Sequence, residues 1–356
     1  MKILFAGGGT LGSVNPLLAV CEEIRHTNKE WDCFWVGTRK GPERRMVEKR
    51  NIAYEWVPQA KLPRYASLYL FLLPFNLAIA FIRSLFVILT IKPDVVMGAG
   101  SFVSVPVVWA GWVLRKKVLI HQQDIRPSLS NRLTSFCAER ITVSFERSLR
   151  DFPRAKTVHT GNPVRIELNH GSKERGRDRF HIKNSDRPVL LVMGGSTGAQ
   201  RINNWVWDHL DDLVRESELI HITGQGKGEP ERKHDHYHQV PFLSSEMADV
   251  LALADVVVSR AGIGTISELS FLGKAAILVP MPDTHQIDNA AHAAGCHAAF
   301  FFREDQLDDQ ALEKILHLVS STVERAGLGS KISGLMPRDS RQKMVGILES
   351  IAYGTE

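Results

Sequence analysis

The sequence predicts an α/β protein built of two Rossmann-like domains, each a parallel sheet covered by helices, facing each other across a cleft. Three observations predict it. The 356 residues exceed twice the usual ~150 per domain. Short apolar runs alternate with longer amphipathic stretches from end to end, as βαβ units require. Each half also opens in the same way, with a strand, a glycine turn and a helix start. The chain is 44% hydrophobic and 23% charged, an ordinary globular composition that excludes a disordered or fibrous protein.

The elements follow in order. Lys2–Ala6 is a strand that runs into Gly7-Gly8-Gly9-Thr10-Leu11-Gly12, and Asn15–His26 then repeats apolar residues at helical spacing. Only four apolar residues separate Lys2 from Gly7, too few for a signal peptide. Cys33–Val36, Ile52–Val57, Val95–Met97 and Val118–His121 are the next strands. The polar stretch Asn169–Pro188 has almost no apolar period and reads as a linker into the second domain. Val189–Met193 then runs into Gly194-Gly195-Ser196-Thr197-Gly198-Ala199 and a helix, echoing the first glycine turn. Leu219–Ile222, Val256–Ser259, Ala276–Val279 and the amphipathic Asp305–Val319 complete the second half. The expected domains are 1–163 and 164–356, with the last helix free to pack back on the first.

Tyr65–Ile82 holds 18 residues without a charge, which touches the length of a membrane span. Pro74 and Asn76 interrupt it and Arg83 follows at once. It also lies between two strands of one expected sheet, and a crossover cannot leave through a bilayer and return. A buried crossover helix is the plain alternative. The stretch is more apolar than one buried face requires, and Lys61, Arg64, Arg83 and Lys92 flank it, which favours a helix at the membrane interface.

Charge is divided unevenly. Residues 1–163 carry 23 Lys/Arg against 12 Asp/Glu, a net +11, and the remainder carries 21 against 27, a net −6. The basic half is suited to an anionic partner, nucleic acid or a lipid surface. The four cysteines, Cys21, Cys33, Cys137 and Cys296, have neither C-x-x-C nor metal-ligand spacing, which fits a reducing compartment.

Gly7-x-Gly9-x-x-Gly12 fits a dinucleotide fingerprint, yet the second strand ends in Gly37-Thr38 where a nicotinamide enzyme needs an acid for the ribose. A phosphate-tolerant turn or a plain strand-to-helix connection survives. Gly194-Gly195-Ser196-Thr197-Gly198 also fits the hydrolase pattern G-x-S-x-G, with Asp283 and His285 or His297 as partners. The matching turn at residues 7–12 has no serine there, so Ser196 reads better as a phosphate donor at a helix start. His234, His236 and His238 alternate as a metal site on a strand would, but the charged residues around them favour a solvated loop.

Residues 259–290 say most. The strand Val256–Ser259 gives way to Gly262-Ile263-Gly264 and a helix carrying Glu268, a carboxylate placed to accept two ribose hydroxyls. The loop after the next strand delivers His285, Gln286 and Asn289, and amides read sugar hydroxyls without adding charge. Helix starts for phosphates, a ribose carboxylate and a sugar-reading amide describe a nucleotide-sugar site.

At these residues the chain resembles glycosyltransferase family 28, of GT-B fold, and its N-acetylglucosaminyltransferases of peptidoglycan synthesis. The resemblance runs in order through AGGGTLGSVNPLLAV, WVGTRKGPE, KPDVVMGAGSFVSVP, HQQD, TGNPVR, LVMGGSTGAQRIN, ADVVVSRAGIGTISEL and HQIDNA. It implies inverting transfer of GlcNAc from UDP-GlcNAc to the C4 hydroxyl of the MurNAc sugar in the undecaprenyl-pyrophosphoryl-pentapeptide acceptor, with no metal or other cofactor. It implies a peripheral enzyme on the cytoplasmic face of the bacterial cell membrane, meeting anionic lipid and not nucleic acid. Carried over by position, the substrate site is Thr10, Leu11, Gly12, Asp124, Arg165, Ser196, Leu243, Ile263, Gly264, Thr265, Ile266, Ser267, Glu268 and Gln286. Arg165 and Ser196 would lie near the diphosphate, Leu243 near uracil, Glu268 on the ribose and Gln286 on the GlcNAc ring. Gly98, Gly100 and Ser101 fall on the acceptor side.

Three departures fall near the expected reaction centre. The family's GGTGGH reads Gly8-Gly9-Thr10-Leu11-Gly12-Ser13, with Ser13 where the family has a histidine. The family's HEQN reads His121-Gln122-Gln123-Asp124, a glutamine for the acid and an acid for the amide. Ser13 can orient an acceptor at most; Asp124 either contributes the base or holds a water that does, or it only hydrogen-bonds the GlcNAc as the family's asparagine would. Two alternatives stand beside this reading: a related transferase acting on another lipid or small-molecule acceptor, and a non-catalytic sugar-nucleotide-binding protein.

Overall fold

The computed structural model describes residues 1–27, 29–58, 69–183, 186–195 and 198–354. The chain divides into two compact units, Met1–Arg165 with Asp339–Glu356, and Ile166–Arg338.

The first unit is a seven-stranded parallel sheet in the order β3-β2-β1-β4-β5-β6-β7. Its strands are β1 (Lys2–Ala6), β2 (Asp32–Gly37), β3 (Ala53–Trp56), β4 (Val95–Gly98), β5 (Lys117–Gln122), β6 (Arg140–Val143) and β7 (Thr157–His159). The inner strands β1, β4, β5 and β6 are buried on both faces, which is why they read as continuous hydrophobic stretches, while the edge strands β3 and β7 stay partly exposed. One face is covered by α1 (Asn15–His26) and the C-terminal helix, the other by α3 (Tyr69–Ile91) and α4 (Ser104–Val113). α2 (Glu43–Glu48) and α5 (Leu129–Thr134) are short connectors. Pro16 opens α1, where its missing N–H costs nothing. Strand order reverses between β1 and β4, so the crevice for a ligand lies beyond Ala6 and Gly98, which are paired in register.

The second unit repeats the plan with six parallel strands in the order β10-β9-β8-β11-β12-β13. They are β8 (Val189–Met193), β9 (Glu218–Ile222), β10 (Tyr237–Val240), β11 (Val256–Ser259), β12 (Ala275–Leu278) and β13 (Phe300–Phe301). Around them lie α6 (Lys173–Phe180), α7 (Gln200–Asp208), α8 (Leu210–Glu216), α9 (Met247–Leu253), α10 (Ile263–Leu272), α11 (Gln286–Gly295), α12 (Asp309–Ser320) and α13 (Thr322–Ser333). Here the switch point falls between β8 and β11, where Met193 pairs with Ser259. The last helix, α14 (Ser340–Tyr353), belongs to the first unit: Met344, Val345, Leu348 and Ile351 enter its core. Arg341 on α14 forms a buried pair with Glu23 of α1 at 3.0 Å and donates to the Val164 carbonyl at 3.0 Å.

Three expectations are corrected. The stretch expected as a linker contains a helix, α6, capped by the Ser172 hydroxyl. Its buried face is only Gly176 and Phe180, so no apolar period shows, and Arg175 grips Asp249 of α9 through Nε at 3.0 Å and Nη2 at 2.6 Å. The histidine run is a solvated loop only as far as His234, which is exposed. His236 and His238 sit 2.8 and 3.0 Å from the two oxygens of the buried Glu218 carboxylate, and His238 stands on β10. The apolar segment does not stop at Ile82 but continues as α3 to Ile91. Arg83 interrupts the composition and not the helix, because it turns inward: its guanidinium lies 3.9 Å from the Trp56 ring centre and 3.6 Å from Glu55.

Leu72–Ile91 is long and apolar enough to cross a membrane. Both its ends return to strands of one sheet, β3 and β4, a topology that a span does not allow. Ala80, Ser84, Val87 and Ile88 face the core, while Leu72, Phe75, Ile79, Ile82, Phe86 and Leu89 are exposed. The exposed residues repeat at three- and four-residue spacing and so form one continuous stripe.

Candidate active site

In the first unit three loops meet at the crevice beyond β1, β4 and β5. The loop after β1 needs glycine at Gly9, where φ is +81° and an added Cβ would lie 2.4 Å from the Phe102 ring of the loop after β4. The Gly9 N–H donates to Glu43 Oε2 at 3.3 Å. Glu43 Oε1 accepts from the Thr38 N–H at 2.7 Å and the Thr38 hydroxyl at 2.6 Å, with the Tyr54 hydroxyl 3.4 Å away. Thr10 and Gly12 are exposed, and Ser13 is buried with its hydroxyl donating to the Thr10 carbonyl at 3.3 Å. Ser13 therefore closes the turn.

After β4, Gly100 has φ +81°, and the Ser101 hydroxyl caps the start of α4 by accepting from the Ser104 N–H at 3.3 Å. After β5, the Gln122 amide is spent on shape. It donates to the carbonyls of Asp124 (2.7 Å) and Arg126 (3.0 Å), and accepts from the Ser128 N–H (3.2 Å) and Asn131 Nδ2 (2.8 Å). Gln123 ties this loop to the previous one by donating to the Ala99 carbonyl at 2.9 Å. Asp124 follows, half-buried, at the end of this braced segment.

His121 is not a substitute for the histidine missing at Ser13. Its ring is fully buried, with Nε2 2.9 Å from Asn162 Oδ1 and Nδ1 3.0 Å from Thr142 Oγ1. Burial pushes its pKa down to about 4, and pushes the equally enclosed His221 of β9 down to about 3. Both lie below the ordinary ~6.5, so the unfolded chain takes up protons first as pH falls. Each histidine should therefore remove up to about 1.4 kcal/mol of stability per pH unit below pH ~6.5, above the carboxylate range. Urea midpoints measured between pH 7 and 5 should fall; a flat profile would mean that these rings reach solvent.

In the second unit the loop after β8 turns through Gly195 (φ +82°) and Gly198 (φ +68°), with the Gly198 N–H donating to the Gly195 carbonyl at 3.0 Å. Ser196, expected at the diphosphate, lies outside the described residues. The run 263–268 is split by burial. Ile263, Ile266 and Ser267 face the core, Ser267 donating to the Ile263 carbonyl at 2.6 Å, while Gly264, Thr265 and Glu268 are half-open on α10. The Ile266 N–H already donates to the Gly262 carbonyl at 3.1 Å, so the N–H groups that α10 can offer a ligand are those of its first turn, before Ile266. Gln286, at the start of α11, accepts from the Met281 N–H at 3.1 Å, and its Nε2 lies 4.0 Å from where a Gly262 Cβ would be. That brings Gln286 to the start of α10. Asn289, fully buried, holds the same loop by donating to the Ala261 carbonyl at 3.4 Å. Leu243 is buried, and Arg165 is half-buried at the end of the first unit.

Sequence reasoning missed Arg260. Its guanidinium is buried at the switch point, donates to the carbonyls of Val279 (3.2 Å) and Pro280 (3.0 Å), and pairs with Glu304. Its place in the run ADVVVSRAGIGTISEL, directly after the strand Val256–Ser259, was the signal available. Glu43 was missed likewise. Among the described residues no three His, Cys, Asp or Glu side chains are arranged to hold a metal ion.

The family model described as Glycosyltransferase family 28 N-terminal domain matches residues 3–143, and that of the C-terminal domain matches residues 189–331. The chain belongs to glycosyltransferase family 28. A family relative from Legionella pneumophila (strain Lens), named UDP-N-acetylglucosamine--N-acetylmuramyl-(pentapeptide) pyrophosphoryl-undecaprenol N-acetylglucosamine transferase, is 34% identical over 358 residues, covering 99% of this chain and 97% of that one. A Bacillus cereus (strain ATCC 10987 / NRS 248) relative of the same name, numbered 2, is 37% identical over 79% of each chain. The crystal structure of Acinetobacter baumannii MurG superposes with a TM-score of 0.76 at 23% identity, over 98% of this chain and 99% of that one. The family assignment makes the chain a glycosyltransferase of GT-B fold, as the resemblance in its ordered motifs implied.

Proposed function

We propose that this chain transfers GlcNAc from UDP-GlcNAc, with inversion, to the C4 hydroxyl of the MurNAc sugar in undecaprenyl-pyrophosphoryl-MurNAc-pentapeptide. The observation that carries this reading is end-to-end similarity to a transferase of that name, at 34% identity over 99% of this chain. The second unit would hold the donor. The first turns of α7 and α10 offer N–H groups to phosphate, Glu268 accepts from the ribose, Gln286 reads the GlcNAc ring, and Leu243 lies against uracil. The family resemblance assigns Arg165 and Ser196 to the diphosphate and Thr10, Leu11 and Gly12 to substrate binding. Gly98, Gly100 and Ser101 line the acceptor side, and Asp124 takes the proton of the attacking hydroxyl. The test is the product linkage. Incubation with UDP-GlcNAc and a soluble lipid analogue of the acceptor should give a β-linked disaccharide by NMR, and an α-linked product would exclude an inverting mechanism.

The acceptor is lipid-linked, and we place the enzyme peripherally on the cytoplasmic membrane face. What supports this is the exposed stripe on α3, continued by Trp112 and Val113 of α4, which packs along α3, and by Leu129 and Leu133 on α5 with Phe136 after it. Lys92 past α3, Arg115 and Lys116 past α4, and Arg132 on α5 add positive charge for anionic headgroups. Phe75, Ile79 and Phe86 are 55–69% exposed, so serine at all three removes little packing. That variant should bind anionic vesicles about tenfold more weakly, from apolar surface no longer buried in lipid. Sedimentation with vesicles at the parent level would reject this face.

A further inference from the structure

We infer that Glu43 is a positioning residue for acceptor attack, an inference that rests on the transferase reading above. The carboxylate is fully buried, and the groups that hold it are neutral: the Thr38 and Gly9 amides and the Thr38 hydroxyl, with the Tyr54 hydroxyl, which donates to the Thr38 carbonyl at 2.6 Å, beside them. Burying an anion among neutral donors is costly, and a plain core position would be filled more cheaply by an apolar side chain. The carboxylate's distinctive property is that both oxygens accept and neither donates. Oε1 serves the end of β2 at Thr38, and Oε2 serves the N–H of Gly9 in the loop after β1. One rigid group thus registers the substrate loop against the sheet.

The grip is two-sided. An added Cβ at Gly8 would lie 2.4 Å from Glu43 Oε1, and one at Gly9 would lie 2.4 Å from the Phe102 ring, so the loop is seated between the carboxylate and the aromatic ring. Directly downstream, the Ser13 hydroxyl bonds the Thr10 carbonyl and carries the loop's position into the start of α1. Glu43 touches neither substrate nor reacting atoms on this account. It fixes the loop that bears Thr10, Leu11 and Gly12, and a misplacement of ~1 Å in such a loop costs about 10²-fold in rate.

Glu43→Gln separates this role from simple packing, because it keeps shape and volume. A glutamine has one acceptor oxygen, and more donors converge on the Thr38 side, so its NH₂ must face the Gly9 N–H, donor against donor. The expected result is a roughly 10- to 100-fold loss of kcat/KM for the acceptor, with UDP affinity near that of the parent, the protein still folded well above the assay temperature, and faster amide exchange at Gly9. A loss that merely tracks a lowered midpoint would make Glu43 structural and overturn the inference. So would parental acceptor kinetics, or unchanged exchange at Gly9. A parent inactive with the lipid-linked acceptor counts against the transferase reading instead, and amide exchange then decides alone whether Glu43 anchors the loop.

Discussion

Asp124→Asn should lower kcat by about 10²–10⁴-fold, the usual contribution of a general base, with the donor KM little changed. Attack on the anomeric carbon requires the acceptor hydroxyl to lose its proton as the bond to UDP breaks. Ser13 cannot take that proton at neutral pH, and its own hydroxyl is engaged with the Thr10 carbonyl. His121 is buried and held neutral, with its pKa near 4 and both nitrogens facing protein atoms. Gln122, where the family has an acid, spends its amide on the loop. The carboxylate at this strand end that remains half-open is Asp124. If Asp124 only bonded the sugar, asparagine would serve equally well and kcat would stay at the parent value. Steady-state kinetics with saturating donor separate the two, and a near-parental kcat removes Asp124 as the base.

Glu268→Ala should weaken UDP binding about 5- to 150-fold, or one to three kcal/mol, because a site built for a hydroxyl pair leaves those groups unpaired when the acceptor is removed. The buried neighbours Ile263, Ile266 and Ser267 hold this part of α10 against the core, so a substitution at the half-open Glu268 should leave the fold intact. Titration calorimetry with UDP reads the effect directly. Unchanged affinity would take the ribose away from Glu268.

The sheets were legible because a doubly covered parallel strand has no polar face to hide: Val189–Met193 and Val256–Ser259 are observed as expected. The short strands β6, β7, β10 and β13 were not, since two to four residues carry no period. α6 was hidden because its buried face is a glycine and one phenylalanine, and α3 was cut short because Arg83 looks like a terminus until Trp56 is seen beneath it. Motifs located the loops of the candidate site. They could not show that within 263–268 half of the side chains face inward, or that Gln122 is architectural. Those facts depend on rotation about a helix and on partners distant in sequence. Glu43 and Arg260 were out of reach for the same reason: a buried charge is recognisable only by what surrounds it.

Acceptor-dependent release of UDP tests the central claim most directly. With UDP-GlcNAc present, the parent protein should release UDP in step with disaccharide formation when the MurNAc-pentapeptide lipid analogue is added, and release little without it or with unrelated lipid and small-molecule acceptors. UDP-GlcNAc binding without acceptor-dependent release would make the chain a sugar-nucleotide-binding protein, and turnover confined to another acceptor would make it a different transferase; either result contradicts the account.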